Sequence, residues 1–156
     1  MASRTRLALY EPDIPQNTGA ILRLAACLDV PVDIIGPCGF VWDDRRLRRA
    51  GMDYLAGVSL IRHSSWEDFL RAPGRTGRLV LLTTGAAVGH VDFMFEPDDT
   101  LILGSESAGA PERVRGATAA SVRVPMRAGM RSLNVAVAAG IVLGEALRQT
   151  KQFPGQ

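Results

Sequence analysis

The stretch of sequence that decides the fold covers residues 101–111 and reads Leu-Ile-Leu-Gly-Ser-Glu-Ser-Ala-Gly-Ala-Pro. Its first three residues are apolar, which is typical of a strand covered on both faces of a parallel sheet. Gly104 and Gly109 flank a polar tip, which suits a backbone that presses close to a ligand. The stretch is neither a P-loop, because Ala110-Pro111 stands where Lys and Ser or Thr are required, nor a GxGxxG dinucleotide fingerprint. It therefore predicts a buried strand that ends in a binding loop.

Outward from this strand, short apolar runs alternate with helix-like stretches, as in an α/β domain with a mostly parallel sheet. Ser64 and Ser65 before Glu67 and Asp68 form a capping-box pattern at the start of one helix. The predicted strands are Leu7–Tyr10, Val32–Ile35, Val58–Ile61, Leu79–Thr83, Leu101–Leu103 and Val122–Val124. The predicted helices are Thr18–Leu28, Asp43–Arg49, Trp66–Arg71, Pro111–Arg115 and Leu133–Thr150.

The length of 156 residues, with 47% hydrophobic and 22% charged residues, predicts one soluble globular domain, residues 1–156. The longest nearly uncharged apolar stretch, Val135 to Gly144, is about half of the roughly 20 residues that a membrane-spanning helix needs. The chain begins without a signal-peptide pattern, so a cytoplasmic protein is expected. Cys27 and Cys38 are expected to be free thiols without a metal site, and His63 and His90 to be surface or loop residues without a partner.

The basic residues are almost all arginine, since Lys151 is the single lysine among 18 basic residues and the net charge is +2. The planar guanidinium suits phosphate, so this bias is compatible with a nucleic-acid partner. A biased codon composition gives the same excess, and both interpretations stay open.

Two further loops follow predicted strands. Glu11 to Arg23 contains two prolines, a helix cap at Asn17 or Thr18, and Arg23 about one and a half turns into the next helix. The alternative is a capped helix with a solvated arginine. Val124 to Asn134 enters the most hydrophobic helix, with Ser132 as its expected cap and Asn134 placed to bond backbone across a loop. Because ligands bind beyond the carboxyl ends of parallel strands, all three loops are expected to meet.

Together the three loops resemble the three motifs of the SPOUT superfamily of RNA methyltransferases, in particular its TrmH-like ribose 2'-O branch. Motif one matches Asn17-Thr18-Gly19 with Arg23, motif two Gly104–Pro111, and motif three Pro125-Met126 with Ser132-Leu133-Asn134. The segment Phe40–Tyr54 is similar to one in the TrmL-like subgroup, which methylates the ribose of the wobble nucleotide in certain leucine tRNAs. The resemblance implies a Rossmann-like, mostly parallel sheet with helices on both faces and a C-terminal trefoil knot.

The resemblance also implies a site for S-adenosylmethionine, the methyl donor, and no metal. Its residues are Leu82, Thr83, Gly104, Glu106, Gly109, Val124, Met126, Ser132 and Leu133. From the residues alone, Glu106 is a ligand contact, a cap for the helix near Pro111 or an ordinary surface charge. Met126 and Met130 are more often packing residues than cofactor contacts.

The family assigns removal of the 2'-hydroxyl proton to the arginine that matches Arg23. A guanidinium stays protonated and is a poor base. Arg23 is therefore predicted to orient the ribose and an adjacent phosphate and to stabilise the developing alkoxide, with the proton leaving by phosphate or water. Ser132 and Asn134 are the predicted positioning groups in catalysis.

Family members act as dimers, so a homodimer is expected, with the small residues Ala136, Gly140 and Gly144 between subunits. Packing of that face on its own sheet is the alternative, and Gly144 stands where relatives often carry a tyrosine.

The expected RNA partner is tRNA, bound by Asn17, Arg23, Arg48 and Arg49. A solvated helix face paired with Asp43, Asp44 and Asp53 is the alternative for the basic residues at 45–49. Trp42 either stacks on a base or is buried under that helix.

Three other functions stay open. In the first, the protein is an RNA methyltransferase of the same class, and its substrate is another tRNA position or ribosomal RNA. The protein binds RNA or a nucleotide without turnover. A nicotinamide-dependent oxidoreductase is the third, although its glycine fingerprint is missing.

Overall fold

A computed structural model describes residues 3–49 and 55–156, and at its centre is a six-stranded sheet in the order β3-β2-β1-β5-β4-β6. Every neighbouring pair of strands is parallel. The strands are β1 Arg6–Tyr10, β2 Val32–Ile35, β3 Leu60–His63, β4 Leu79–Leu82, β5 Thr100–Leu103 and β6 Ala120–Val122. The helices are α1 Pro15–Leu28, α2 Asp44–Arg49, α3 Trp66–Arg71, α4 Glu112–Ala117 and α5 Val135–Thr150, with 3-10 turns at Leu55–Gly57 and His90–Asp92.

Apolar helices cover both faces of the sheet. Successive side chains of a strand point to opposite faces. Leu7 and Leu9 of β1 therefore belong to the core formed with α1 and α5, whereas Ala8 and Tyr10 belong to the core formed with α3 and α4. The predicted α/β fold with a mostly parallel sheet is confirmed, and the trefoil knot stays a prediction. Within the described ranges, no helix is both long and apolar enough to cross a membrane.

The bounds of the two edge strands differ from the prediction. β3 begins two residues later than expected and β6 two residues earlier. An edge strand pairs on one side only, so register against its single neighbour sets its bounds; Ala120 pairs with Val80 and Val122 with Leu82. Val124 consequently lies beyond β6, in the loop that follows it.

The start of α1 differs too. The predicted caps Asn17 and Thr18 lie inside the helix, which begins at Pro15 with Ile14 as an N-cap that makes no side-chain hydrogen bond. Proline is preorganised for the first helical position, and its missing N–H would be unpaired there in any case. Pro15 therefore starts the helix three residues before the expected position.

The cap of α5 is Asn134 rather than the predicted Ser132. Asn134 Oδ1 accepts from the backbone N–H of Ala136 at 2.8 Å and of Val137 at 3.3 Å. Ser132 is exposed two residues earlier. By contrast, Ser65 caps α3 as the predicted pattern indicates, since its Oγ accepts from the N–H of Asp68 at 3.1 Å, while the Asp68 carboxylate pairs with Arg71.

Both histidines are less exposed than predicted. His63 Nε2 lies 2.8 Å from Asp33 Oδ1, and Arg6 Nε donates to Asp33 Oδ2 at 3.0 Å. Both His63 and Asp33 have buried side chains, so a buried carboxylate on β2 is paired from the neighbouring strands β3 and β1. His90 is buried in its 3-10 turn. Cys27 and Cys38 are free thiols, as predicted.

A second buried carboxylate lies just before β5. Asp99 is fully buried and accepts from Arg78 Nε at 2.9 Å, from Arg78 Nη2 at 2.8 Å and from the N–H of Glu96 at 2.8 Å. Hydrogen bonding to Asp99 raises the pKa of the Arg78 guanidinium. These contacts join the start of β4 to the turn that leads into β5.

We expect Asp99→Ala to lower the free energy of unfolding by about 3–5 kcal/mol, because it leaves Arg78 and the Glu96 N–H without their buried acceptor. Asp68→Ala is the matched control, since its 3.0 Å pair with Arg71 is exposed and is expected to contribute at most about 1 kcal/mol. Urea unfolding at neutral pH measures both. Equal losses in the two variants would contradict the interpretation.

Candidate functional site

The loops that follow β1, β5 and β6 meet at the carboxyl edge of the sheet, as expected. The loops after β5 and β6 enclose a cavity of about 440 Å³ that also reaches the end of β4 and is called the loop cavity here; from the segment after β1, Asn17 of α1 lines it. Its lining residues are Asn17, Leu82, Thr83, Thr84, Leu103, Gly104, Ser105, Glu106, Gly109, Ala110, Val124, Met126, Ser132, Leu133, Asn134, Val135 and Ala138. All nine residues predicted for the cofactor lie in this lining, together with Asn17 and Asn134.

The loop after β5 folds back on itself at Gly104. The N–H of Ser105 donates to Gly109 O at 3.1 Å, and the N–H of Gly109 donates to Ser105 O at 2.8 Å. A Cβ added at Gly104 would lie 2.7 Å from the carbonyl carbon of Gly109, closer than real side chains approach. Gly109 has a φ of 67°, in the left-handed region that favours glycine. Both predicted glycines are therefore required by the backbone that lines the cavity.

Asn134 joins the starts of two helices. Its Oδ1 caps α5, and its Nδ2 donates to Asn17 Oδ1 of α1 at 2.9 Å. One asparagine thus uses both halves of its amide, and the cavity wall gains a fixed link between motif one and motif three. The prediction was a bond from Asn134 to backbone across a loop; instead its partner across the loop is the Asn17 side chain, and its backbone bonds cap α5.

Glu106 bonds to the loop after β1. Its Oε2 accepts from the N–H of Asp13 at 3.1 Å, and Asp13 Oδ1 accepts from the N–H of Glu106 at 3.1 Å. Ser107 Oγ also donates to Asp13 Oδ2. Burial raises the pKa of the Glu106 carboxyl, whereas hydrogen bonding to Glu106 lowers the pKa of the Asp13 carboxyl. Of the three interpretations of Glu106, the cap is wrong, because α4 has no side-chain cap, and the ligand contact stays a prediction.

The predicted RNA-binding arginines lie outside the loop-cavity lining. Arg23 is exposed on α1, and Arg48 and Arg49 are exposed on α2. Neither Arg48 nor Arg49 forms an ion pair with another described residue, although Arg46 lies 3.7 Å from Asp43. Residues 50–54, which include Asp53 and the end of the segment similar to the TrmL-like subgroup, lie outside the described ranges.

Trp42 is half-buried. Its ring stacks on Phe40 at 6.2 Å and lies under the Arg62 guanidinium at 4.8 Å. Its Nε1 donates to Asp44 Oδ1 at 3.0 Å, so Asp44 is the hydrogen-bond acceptor for the indole N–H.

Sequence reasoning missed part of the site. Thr84, Ser105 and Ala110 adjoin predicted residues, so their proximity in the chain was a usable signal. Asp13 gave no such signal, because its partner Glu106 is 93 residues away in the chain.

Among the described residues, the one acidic cluster with metal-ligand spacing is Glu96, Asp98 and Asp99. It lies at the amino end of β5, opposite to the loop cavity, and two of its three carboxylates, those of Glu96 and Asp99, pair with Arg78.

Known proteins are similar to this chain in both sequence and fold. The SpoU rRNA Methylase family matches residues 4–144. A protein of Beijerinckia indica named tRNA (cytidine(34)-2'-O)-methyltransferase is 59% identical over 144 residues, which cover 92% of this chain and 90% of that protein. A solved structure on "the 2-OH methylation of C/U34 on tRNA" has a TM-score of 0.86 and 38% identity, covering 96% of this chain and 92% of its own.

A structure of the SpoU methyltransferase AviRb from Streptomyces viridochromogenes in complex with AdoMet has a TM-score of 0.80 and 28% identity. The match covers 96% of this chain and 61% of AviRb. The family match spans most of the chain and agrees with the folded loops, so the chain belongs to the SpoU methylase family.

Proposed function

We propose that the chain transfers a methyl group from S-adenosylmethionine to the ribose 2'-hydroxyl of the wobble nucleotide, cytidine or uridine, of leucine tRNAs. The observation that carries the proposal is the convergence of the three motif loops on one cavity. The 59% identical relative, which is named for cytidine 34 of tRNA, supports cytidine at that tRNA position as a substrate. We further propose that residues 1–156 act as one domain and that the protein works in the cytoplasm.

The loop cavity fits S-adenosylmethionine by its chemistry. Gly104 and Gly109 line the cavity without side chains, which lets a ligand lie close to the backbone there. Leu82, Val124 and Leu133 supply apolar surface around a flat ring. S-adenosylmethionine supplies the methyl group, bonded to a positively charged sulfur.

Arg23 has the role of orienting the acceptor ribose and stabilising its developing oxyanion. Its guanidinium stays charged, so it strengthens the attack without acting as the base. Ser132 and Asn134 line the loop cavity and position the reactants. Asn17, bonded to Asn134, holds the RNA-facing helix α1 against that wall.

A homodimer brings Arg23 of one subunit to the loop cavity of the other. Two observations support this: Arg23 lies outside the lining of its own cavity, and α5 exposes Val137 at 52% and Ile141 at 40%. Gly140 and Gly144 lie on the same helix, and a Cβ at Gly144 would meet nothing within 4 Å. This half-covered apolar surface is suited to a second copy of the chain.

Ribosomal RNA is the second candidate substrate, because the matching family is described by rRNA methylation. Binding of RNA without turnover is the third. Mass spectrometry of nucleosides from treated tRNA and rRNA separates all three.

We expect incubation with tRNA and S-adenosylmethionine to yield 2'-O-methylated pyrimidine at the wobble position, and Arg23→Lys to reduce turnover by about 10²-fold or more. A lysine keeps the charge but loses the planar fork that holds ribose and phosphate together. Arg71→Gln, on the exposed surface of α3, is the control. Nearly full turnover by Arg23→Lys at neutral pH would refute the assigned role.

We expect Gly104→Ala to weaken S-adenosylmethionine binding by about 1–3 kcal/mol, because the added Cβ overlaps the backbone of Gly109. Gly116→Ala is the matched control, since a Cβ there meets nothing within 4 Å. Isothermal calorimetry measures both affinities, and thermal melting checks that each variant is folded. A folded Gly104→Ala protein with unchanged affinity would place the donor elsewhere.

We expect Arg48→Gln/Arg49→Gln to weaken tRNA binding and to reduce the slope of log K against log salt by about 0.7 for each lost phosphate contact. Affinity for S-adenosylmethionine should not change. Arg4→Gln/Arg71→Gln removes the same charge from exposed positions that already pair with Asp29 and Asp68, and should leave the slope unchanged. Equal slopes in all three proteins would favour a solvated helix face.

A further inference from the structure

The loop after β6 carries two exposed arginines, Arg127 and Arg131, on either side of a tight turn. The N–H of Met130 donates to Arg127 O at 3.2 Å, which closes the turn. Gly129, its third residue, has a φ of 88°, the positive value that a type II turn requires there. Because such a turn brings its first and last residues together, Arg131 leaves the turn close to the point where Arg127 enters it. Residues 127–131 are called the rim turn here.

The rim turn lies beside the loop cavity. Met126, directly before Arg127, and Ser132, directly after Arg131, both line the cavity. The residues between them are outside the lining, and Met130 is 65% exposed. The chain therefore leaves the cavity wall after Met126, passes through the turn in solvent and returns to the wall at Ser132. The two arginines are consequently attached at the rim of the cavity.

The charges of the rim turn are not neutralised within the described ranges. Neither of its arginines forms an ion pair or a side-chain hydrogen bond with another described residue. Other exposed arginines are paired, such as Arg4 with Asp29 and Arg71 with Asp68. The loops after β4 and β5, which also line the cavity, contain no arginine or lysine. Positive charge in the lining loops therefore comes from the loop after β6.

The reaction proposed for the loop cavity brings an RNA backbone to this rim. The attacking 2'-oxygen has to lie about 3–3.5 Å from the methyl carbon of the donor. The next carbon of the same ribose carries the 3'-phosphate, so a donor bound in the cavity places that phosphate close to the cavity mouth. A guanidinium binds phosphate through paired, charge-assisted N–H donors. The rim turn has two such groups beside the path of the backbone.

S-adenosylmethionine has a negative group of its own, the carboxylate of its methionine part. That carboxylate is a single charge on a molecule inside the cavity, whereas the two arginines are exposed outside the lining. Two neighbouring cations repel each other, and successive phosphates of an RNA chain balance both. Resting on the function proposed above, we propose that Arg127 and Arg131 bind the tRNA phosphates next to the methylated nucleotide and hold its ribose at the mouth of the loop cavity.

The first test removes both charges. Arg127→Gln/Arg131→Gln is expected to raise KM for tRNA about tenfold and to reduce the slope of log K against log salt by about 1.4, or about 0.7 for each lost phosphate contact. Calorimetry with S-adenosylmethionine alone should give the wild-type affinity. Arg4→Gln/Arg71→Gln removes the same charge from paired positions and should keep the wild-type KM and slope.

Three results in a folded Arg127→Gln/Arg131→Gln protein would overturn the proposal. Unchanged KM and salt slope would show that the rim turn does not contact the RNA. A loss of S-adenosylmethionine affinity would assign the arginines to the donor carboxylate. A change of oligomeric state in gel filtration would assign the turn to a subunit interface.

The second test locates the phosphate. A full-length tRNA is assembled by ligation with an uncharged methylphosphonate in place of the phosphate 3' to the methylated nucleotide. The wild-type protein should bind it about tenfold more weakly than unmodified tRNA, whereas Arg127→Gln/Arg131→Gln should bind the two RNAs within about twofold of each other. Arg48→Gln/Arg49→Gln is the matched control and should keep the tenfold difference, because α2 contributes nothing to the cavity lining.

Equal losses with the methylphosphonate tRNA in all three proteins overturn the proposal. If the wild-type protein methylates rRNA but no tRNA, the proposed function fails as well. Methylation of tRNA together with equal losses overturns the phosphate contacts of the rim turn alone.

Discussion

The structure at the carboxyl edge depends on the close approach of two backbones, at Gly104 and Gly109. With no side chain between them, the loop after β5 closes on itself through a reciprocal pair of hydrogen bonds. This loop lies between the loop cavity and a second cavity that is bordered by the loops after β1 and β2, because Ser105 and Gly109 line both. Asp13 then fixes this loop to the one after β1. Any side chain at Gly104 would open the loop and move both walls together.

Much of the fold could be predicted because the interior strands carry a strong signal. β2 was predicted with its observed bounds, and β1, β4 and β5 to within one residue, since each is apolar and mostly buried. The edge strands were misplaced because they pair on one side, so register rather than composition sets their limits. The start of α1 was misplaced because the polar residues Asn17 and Thr18 were preferred over a proline at the first helical position.

The residues at the carboxyl edge of the sheet likewise include some that could be predicted from the sequence and some that could not. Residues within the three motifs could be placed together because parallel strands bring their carboxyl ends to one edge. Asp13 and His63 could not be found, since each is defined by a partner distant in the sequence. Asn134 was expected to bond backbone across a loop but bonds the Asn17 side chain instead, and the cap of α5 was assigned to Ser132 because both residue types cap helices well. Local chemistry predicts what a residue can bond to, and the fold decides which bond it makes.

The arginine excess has more than one physical origin. Arg6 and Arg78 bind buried carboxylates and join neighbouring strands, and Arg113 bridges Tyr10, Glu11 and Glu67. Arg78 and Arg113 use several guanidinium donors at once, which a lysine ammonium on a flexible stem does poorly. They are structural and would be needed whatever the protein bound. Arg48 and Arg49, which are proposed to bind RNA, differ from these structural arginines in being exposed on α2. The overall arginine count is therefore no measure of nucleic-acid binding, and the proposal depends on these exposed positions.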